Sequence, residues 1–91
     1  MAVTLKQLKQ YLRVDHDEED ILIRKLLRSA ERLCMDTIRT ADVSELYSAA
    51  NGRAAVMYAA AYLYEHREEA DHHALTLTLR SLLFGARKEG F

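Results

Sequence analysis

An all-α fold, a small bundle of about four helices, is what the 91-residue sequence predicts. Two observations carry that expectation. There is no proline and there are only three glycines, Gly52, Gly85 and Gly90, while alanine and leucine abound, so the composition suits helices and not strands joined by tight turns. Apolar residues also recur at i, i+3, i+4 and i+7, the period of a helix with one buried face. The expected order is a short first helix, long second and third helices, and a short C-terminal helix. The length is one domain's worth, and a single domain over residues 1–91 is expected. At that size only about 60–65% of the unfolded surface is buried, so folding alone leaves little margin and oligomerisation would help.

Thr4-x-x-Gln7 is a capping box that starts the first helix. Leu5, Leu8 and Leu12 share one side with Tyr11 beside them, and the pattern stops near Arg13 or Val14. Five carboxylates then crowd into residues 15–20. Asp15-x-x-Glu18 has the form of a second capping box, and acids in a first turn meet the positive end of a helix dipole. The burst therefore predicts a helix start, with the second helix running from about Asp17 to Ile38 and Asp20 supporting Arg24 four residues on. It does not read as a calcium loop, since the ligand alternation, central glycine and closing glutamate are absent.

Along that second helix Ile23, Leu26, Leu27, Ala30, Leu33, Cys34 and Ile38 make an apolar stripe. Arg24, Arg28 and Arg32, with Lys25 adjoining, make a basic one. Such a row is either a solvated face or a surface that meets acids on a neighbouring subunit or the phosphates of nucleic acid. The lone cysteine excludes an internal disulfide framework, and its apolar neighbours predict a buried, inert thiol. Thr40, Asp42 and Ser44 are cap-type residues, and Ser44-Glu45-Leu46-Tyr47 suits a short helix.

Asn51-Gly52 marks a break or a helix start before the third helix, which runs to about Glu69. Its middle, Ala54 to Tyr64, is 11 residues apolar on every side. A helix that is apolar all round must be covered all round. The remaining helices of so short a chain can hardly do that, so one side is expected to pack on its own core and another on a neighbouring subunit. Tyr58, Tyr62 and Tyr64 offer large area with a polar tip, which suits such a contact. The segment from His66 to His73 reads as a polar loop; its histidines and acids match no zinc signature. Leu75, Leu79, Leu82 and Leu83 give a last short helix to about Phe84, with Gly85 placed to end it. The tail after Gly85 is weakly basic.

The formal net charge of −1 supplies no general pull toward nucleic acid or an anionic membrane. No signal-peptide core opens the chain, and the longest apolar run falls short of the roughly 20 residues that span a bilayer, so a soluble protein of a reducing compartment is expected. No nucleophile–base pairing, glycine-rich phosphate loop or metal motif is visible, so neither catalysis, nor a cofactor, nor a metal is expected. The alternative function is a helix-turn-helix-like DNA-binding module made of the first two helices. Against it, the leading end of the second helix carries Asp17, Glu18, Glu19 and Asp20, which phosphate would repel.

The opening LKQYLRVDHDEEDILIRKLLRSAE, the late AAAYLYEHREEA and the terminal LRSLLFGARKEGF resemble the small head–tail connector, or DNA-packaging adaptor, proteins of long-tailed phages. The matching pieces are Leu12 to Asp20, Tyr64 to Glu69, and Leu82 and Leu83 followed by Arg87. The likeness is weakest over residues 40–50, and Asn51-Gly52 stands where the family often has a proline.

The resemblance implies a structural virion protein at the head–tail junction, made in a bacterial cytoplasm by a phage or prophage. It implies rings of about twelve subunits closed by head-to-tail contacts. The implied partners are further copies of itself, the portal protein above and a tail-side connector or stopper below. DNA would pass through the channel without sequence-specific binding, and no membrane is involved. The candidate subunit-interface residues are Arg24, Arg28, Arg32, Tyr58, Tyr62, Tyr64 and Glu68, with the arginines facing acids such as Glu65, Glu68, Glu69 or Asp71. The candidate portal- or tail-docking residues are Phe84, Arg87 and Lys88.

Overall fold

The computed structural model describes residues 2–68 and 71–86, and over these the chain is helix joined by short turns. Thr4 opens α1 (Leu5–Leu12) with both arms of its capping box made. Its hydroxyl accepts from the Gln7 N–H at 3.1 Å, and the Gln7 side-chain oxygen accepts from the Thr4 N–H at 3.0 Å. Arg13 ends the helix in a left-handed conformation, φ 61°, from which its N–H and that of Val14 reach the carbonyls of Gln10 and Lys9. Glycine usually closes a helix in this way; a side chain there costs about 1–2 kcal/mol. Arg39 closes α2 (Asp20–Ile38) by the same device, at φ 62°.

The start of α2 corrects the sequence reading. The helix begins at Asp20, not Asp17, and its cap residue Glu19 makes no side-chain capping bond. Residues 16–19 form turns instead, in which the Glu18 N–H donates to His16 Nδ1 at 3.3 Å and the Asp20 N–H to the Asp17 carbonyl at 3.3 Å. The acids are drawn to cations on other elements, and this pull outweighs the capping box. Asp20 pairs with Lys9 of α1, 2.7 Å away, where Arg24 was the expected partner.

Among the described residues α3 (Val43–Ser48) is a helix beyond the four expected, capped by Asp42, whose carboxylate accepts from the Ser44 N–H at 2.9 Å. Then α4 (Gly52–Glu65) begins where Asn51-Gly52 predicts, but it stops at His66, short of Glu69, which lies outside the described residues. The last α-helix, α5 (His72–Leu82), starts earlier than its leucines suggest. Asp71 caps it by accepting from the Ala74 N–H at 3.0 Å, which brings His72 and His73 into its first turn instead of a loop. Phe84 and Gly85 belong to a following 3-10 turn, Phe84–Ala86, and Gly85 lacks the left-handed φ of a helix-ending glycine.

The core lies between α2 and α4, with the other helices laid around that pair. From α2 it takes Ile23, Leu27, Ala30, Cys34 and Ile38; from α4, Ala55, Val56, Ala59, Ala60 and Leu63; from α5, Leu75 and Leu79, with Leu83 just beyond. Leu8 and Leu46 close it at the sides. The alanines on α4 let the two long helices approach closely. Leu26 and Leu33, read as stripe members, sit half-buried at its edge. Burial pushes the Cys34 thiol up to about 12, as an inert cysteine requires.

Gly52 is a close-approach glycine. Its Cα lies against the end of α3, and a Cβ there would run into the carbonyl oxygen of Leu46. The neighbouring Asn51 ties the start of α4 to the end of α5 by donating to the Leu82 carbonyl at 3.0 Å. Arg53 reaches the other way, donating to the Ala2 carbonyl and to Gln7 Oε1, both at 3.2 Å.

Candidate functional site

Two pieces of the sequence that stand out as motifs, the acidic stretch after α1 and the Tyr64-x-x-Arg67 segment, meet in space. The Tyr64 hydroxyl donates to Glu19 Oε1 at 2.6 Å, and Arg67 Nη1 donates to Glu19 Oε2 at 3.0 Å. The Arg67 guanidinium also lies 4.9 Å from the centre of the Tyr64 ring, within cation–π range. Glu19 therefore fastens the α1–α2 turn to the end of α4. A second anchor sits beside it: Lys9, its side chain only 13% exposed, donates to Asp17 at 2.7 Å and pairs with Asp20.

Donors on one side shift these acids. The Tyr64 hydroxyl, and after it Arg67, holds the Glu19 carboxyl below the usual range; Lys9 does the same for Asp17. Depressed carboxyls stabilise the fold fully above their unfolded values, about 4, and that contribution is lost as pH falls through the lower folded values. Glu19→Gln should therefore lower the melting temperature at pH 7 and narrow the gap between pH 7 and pH 3. Circular dichroism melts at the two pH values check this, and an unchanged gap would remove Glu19 from the anchor.

The remaining candidate residues lie on two outward faces. On α2, Arg24, Arg28 and Arg32 are all exposed, with Lys25 beside them. Arg28 and Arg32 border a groove of about 490 Å³ lined also by half-buried Leu26 and Leu33, buried Leu63, and exposed Ser29 and His72. On α4 the buried stripe leaves an opposite row: Ala54 is exposed, Tyr58 is 37% exposed, Ala61 is half-buried and Glu65 is exposed. With Tyr11 and Arg13 from the end of α1, the last three line a second groove of about 550 Å³. The described helices thus cover one face of α4 and leave part of the other accessible.

The three tyrosines differ in what holds them. Tyr58 stands on the open row. Tyr62 stacks on His66, ring centres 4.2 Å apart, and its hydroxyl accepts from the Asp71 N–H at 3.1 Å. Tyr64 is occupied by Glu19. Glu68, in the turn after α4, is exposed, as are Glu65 and Asp71. Phe84 is 80% exposed at the end of α5; Arg87 and Lys88 lie outside the described residues.

Sequence periodicity located the basic row but missed the groove beneath it, because Leu26 and Leu33 read as core. It also missed Lys9 and Glu19, whose partners lie outside their own helices. Among the described residues no three or more His, Cys, Asp or Glu side chains are placed to hold a metal, and no helix is long and apolar enough to cross a membrane. What the arrangement offers is contact surface.

No curated protein and no solved structure matches the chain. The model of one family does, that of the phage gp6-like head-tail connector protein, and the match runs over residues 2–89. It takes in both anchored motifs and both outward faces, and the chain belongs to the phage gp6-like head–tail connector family, whose role is structural.

Proposed function

We propose that this protein is a ring-forming connector subunit that sits beneath the portal, extends the DNA channel and completes the filled head for tail joining. The carrying observation is family membership over residues 2–89 together with two outward faces of different chemistry. A subunit in a closed ring of about twelve touches one neighbour with each of two different surfaces, and a fold with a basic groove and a separate tyrosine-bearing groove has that pair. The reading also names its partners: the portal above, a tail-side connector or stopper below, and DNA in transit. No catalytic step is assigned. A net charge near zero suits a passage through which DNA slides, since tight phosphate contacts would hold it.

Filled heads from a phage lacking this protein test the proposal. Adding the purified chain should place a ring of density at the portal vertex by electron microscopy and restore tail joining. Arg28→Glu should fold normally, because the residue is exposed, yet reduce ring occupancy by about tenfold or more, since like charges brought together across an interface cost several kcal/mol. Heads that join tails equally well without the chain would overturn the reading.

A further inference from the structure

Resting on that reading, we propose that the ring contact is made by the outer row of α4 from one copy laid in the Arg28–Arg32 groove on α2 of the next, with Tyr58 against the leucines and Glu65 at the arginine rim. The two surfaces share no residue. They also lie on opposite sides of the fold. Leu63, which lines the first groove, and Ala61, which lines the second, are two residues apart and so about 200° apart around the α4 axis. A contact between such faces is head-to-tail and leaves a free face at each end, as a ring subunit needs.

The two rows fit in length, relief and charge. Leu26, Ser29 and Leu33 stand at i, i+3 and i+7, and so do Tyr58, Ala61 and Glu65. Each row spans about 10.5 Å along its helix. Each has its smallest side chain at the middle, so the axes can close to the roughly 8–10 Å of packed helices. The rim of one carries Arg28 and Arg32, with Arg24 a turn before. The far end of the other carries Glu65, with exposed Glu68 and Asp71 following in the chain, while Arg67 among them is paired with Glu19. Arg13 also borders the tyrosine groove, but at its α1 edge.

Paired cysteines test this contact. Ser29→Cys and Ala61→Cys are combined in one chain and loaded onto portal-bearing heads, which are then mildly oxidised and run on a non-reducing gel. Cys34 is buried with a raised pKa and stays out of the reaction. The double variant should give a ladder of dimers, trimers and larger species up to the full ring, while either single variant stays monomeric. Dimers from Ser29→Cys alone would show a symmetric contact and overturn the pairing. So would heads that carry the double variant, detected by immunoblot, yet yield no ladder; the connector reading would survive that result. Absence of even the wild-type chain from the heads would overturn both.

Discussion

Gly52→Ala should lower the melting temperature by about 8–16 °C, although alanine is the better helix former. Two effects oppose each other at this position. Replacing glycine by alanine inside a helix gains about 1 kcal/mol. Against that, the new Cβ would collide with the Leu46 carbonyl oxygen, a backbone atom at the end of α3 that cannot swing away like a side chain. Overpacking of this sort costs about 1–3 kcal/mol, and more where backbone must move. With the clash at the upper end of that range, the balance is about 2 kcal/mol of net loss, and in a domain of this size each kcal/mol moves the midpoint by about 4–8 °C. A thermal melt decides the sign. A rise would show that helix propensity wins and that α3 and α4 stand further apart than described. Gly85→Ala is the control, since nothing lies within 4 Å of a Cβ there.

Leu79→Ala should be far more damaging than Leu77→Ala in the same helix. Leu79 is fully buried among the side chains of the α2–α4 core, whereas Leu77, two residues earlier on the same helix, is 50% exposed. Removing a buried leucine to alanine costs about 2–5 kcal/mol, part from lost transfer and part from the cavity left behind. At about 3 kcal/mol the midpoint falls by about 12–24 °C. That is a large share of the stability such a domain holds, about 5–14 kcal/mol. Leu77→Ala should stay within about 0.5–1 kcal/mol of wild type. Denaturant titrations of the pair compare the two at once, and equal losses would mean that α5 presents a different face to the core.

Helix identity and the buried stripes were legible because they depend on periodicity, which is local. The α2 stripe and the row of Leu75, Leu79, Leu82 and Leu83 needed no knowledge of their partners, although Leu26, Leu33 and Leu82 are only half-buried. Boundaries were less legible wherever a distant residue decided them. Asp15-x-x-Glu18 has the form of a cap, but Asp17 and Asp20 face Lys9 and Glu19 faces Tyr64 and Arg67, so α2 starts late. Asp71 was read as loop because its capping role shows only once the chain turns at Tyr62 and His66. Gly52 was legible as a break; the Leu46 carbonyl that demands it was not. The same division holds for the contact surfaces. A row of arginines at i, i+4 and i+8 can be read directly from a sequence, whereas a groove exists only once three helices have met.

The proposed pairing of rows on opposite sides of one helix pair would also bear on the subunit number. Copies joined through directly opposed faces would extend in a straight line; to meet its own tail after about twelve copies, the chain of subunits must veer by about 30° at each junction. Eleven or thirteen copies differ from that by only about 3° per junction. Helix–helix crossing angles scatter by about 15–20°, well beyond that difference. On the proposed contact the subunit number would be set by the circular platform on which the copies are laid, with the protein supplying adhesion and the capsid the arithmetic.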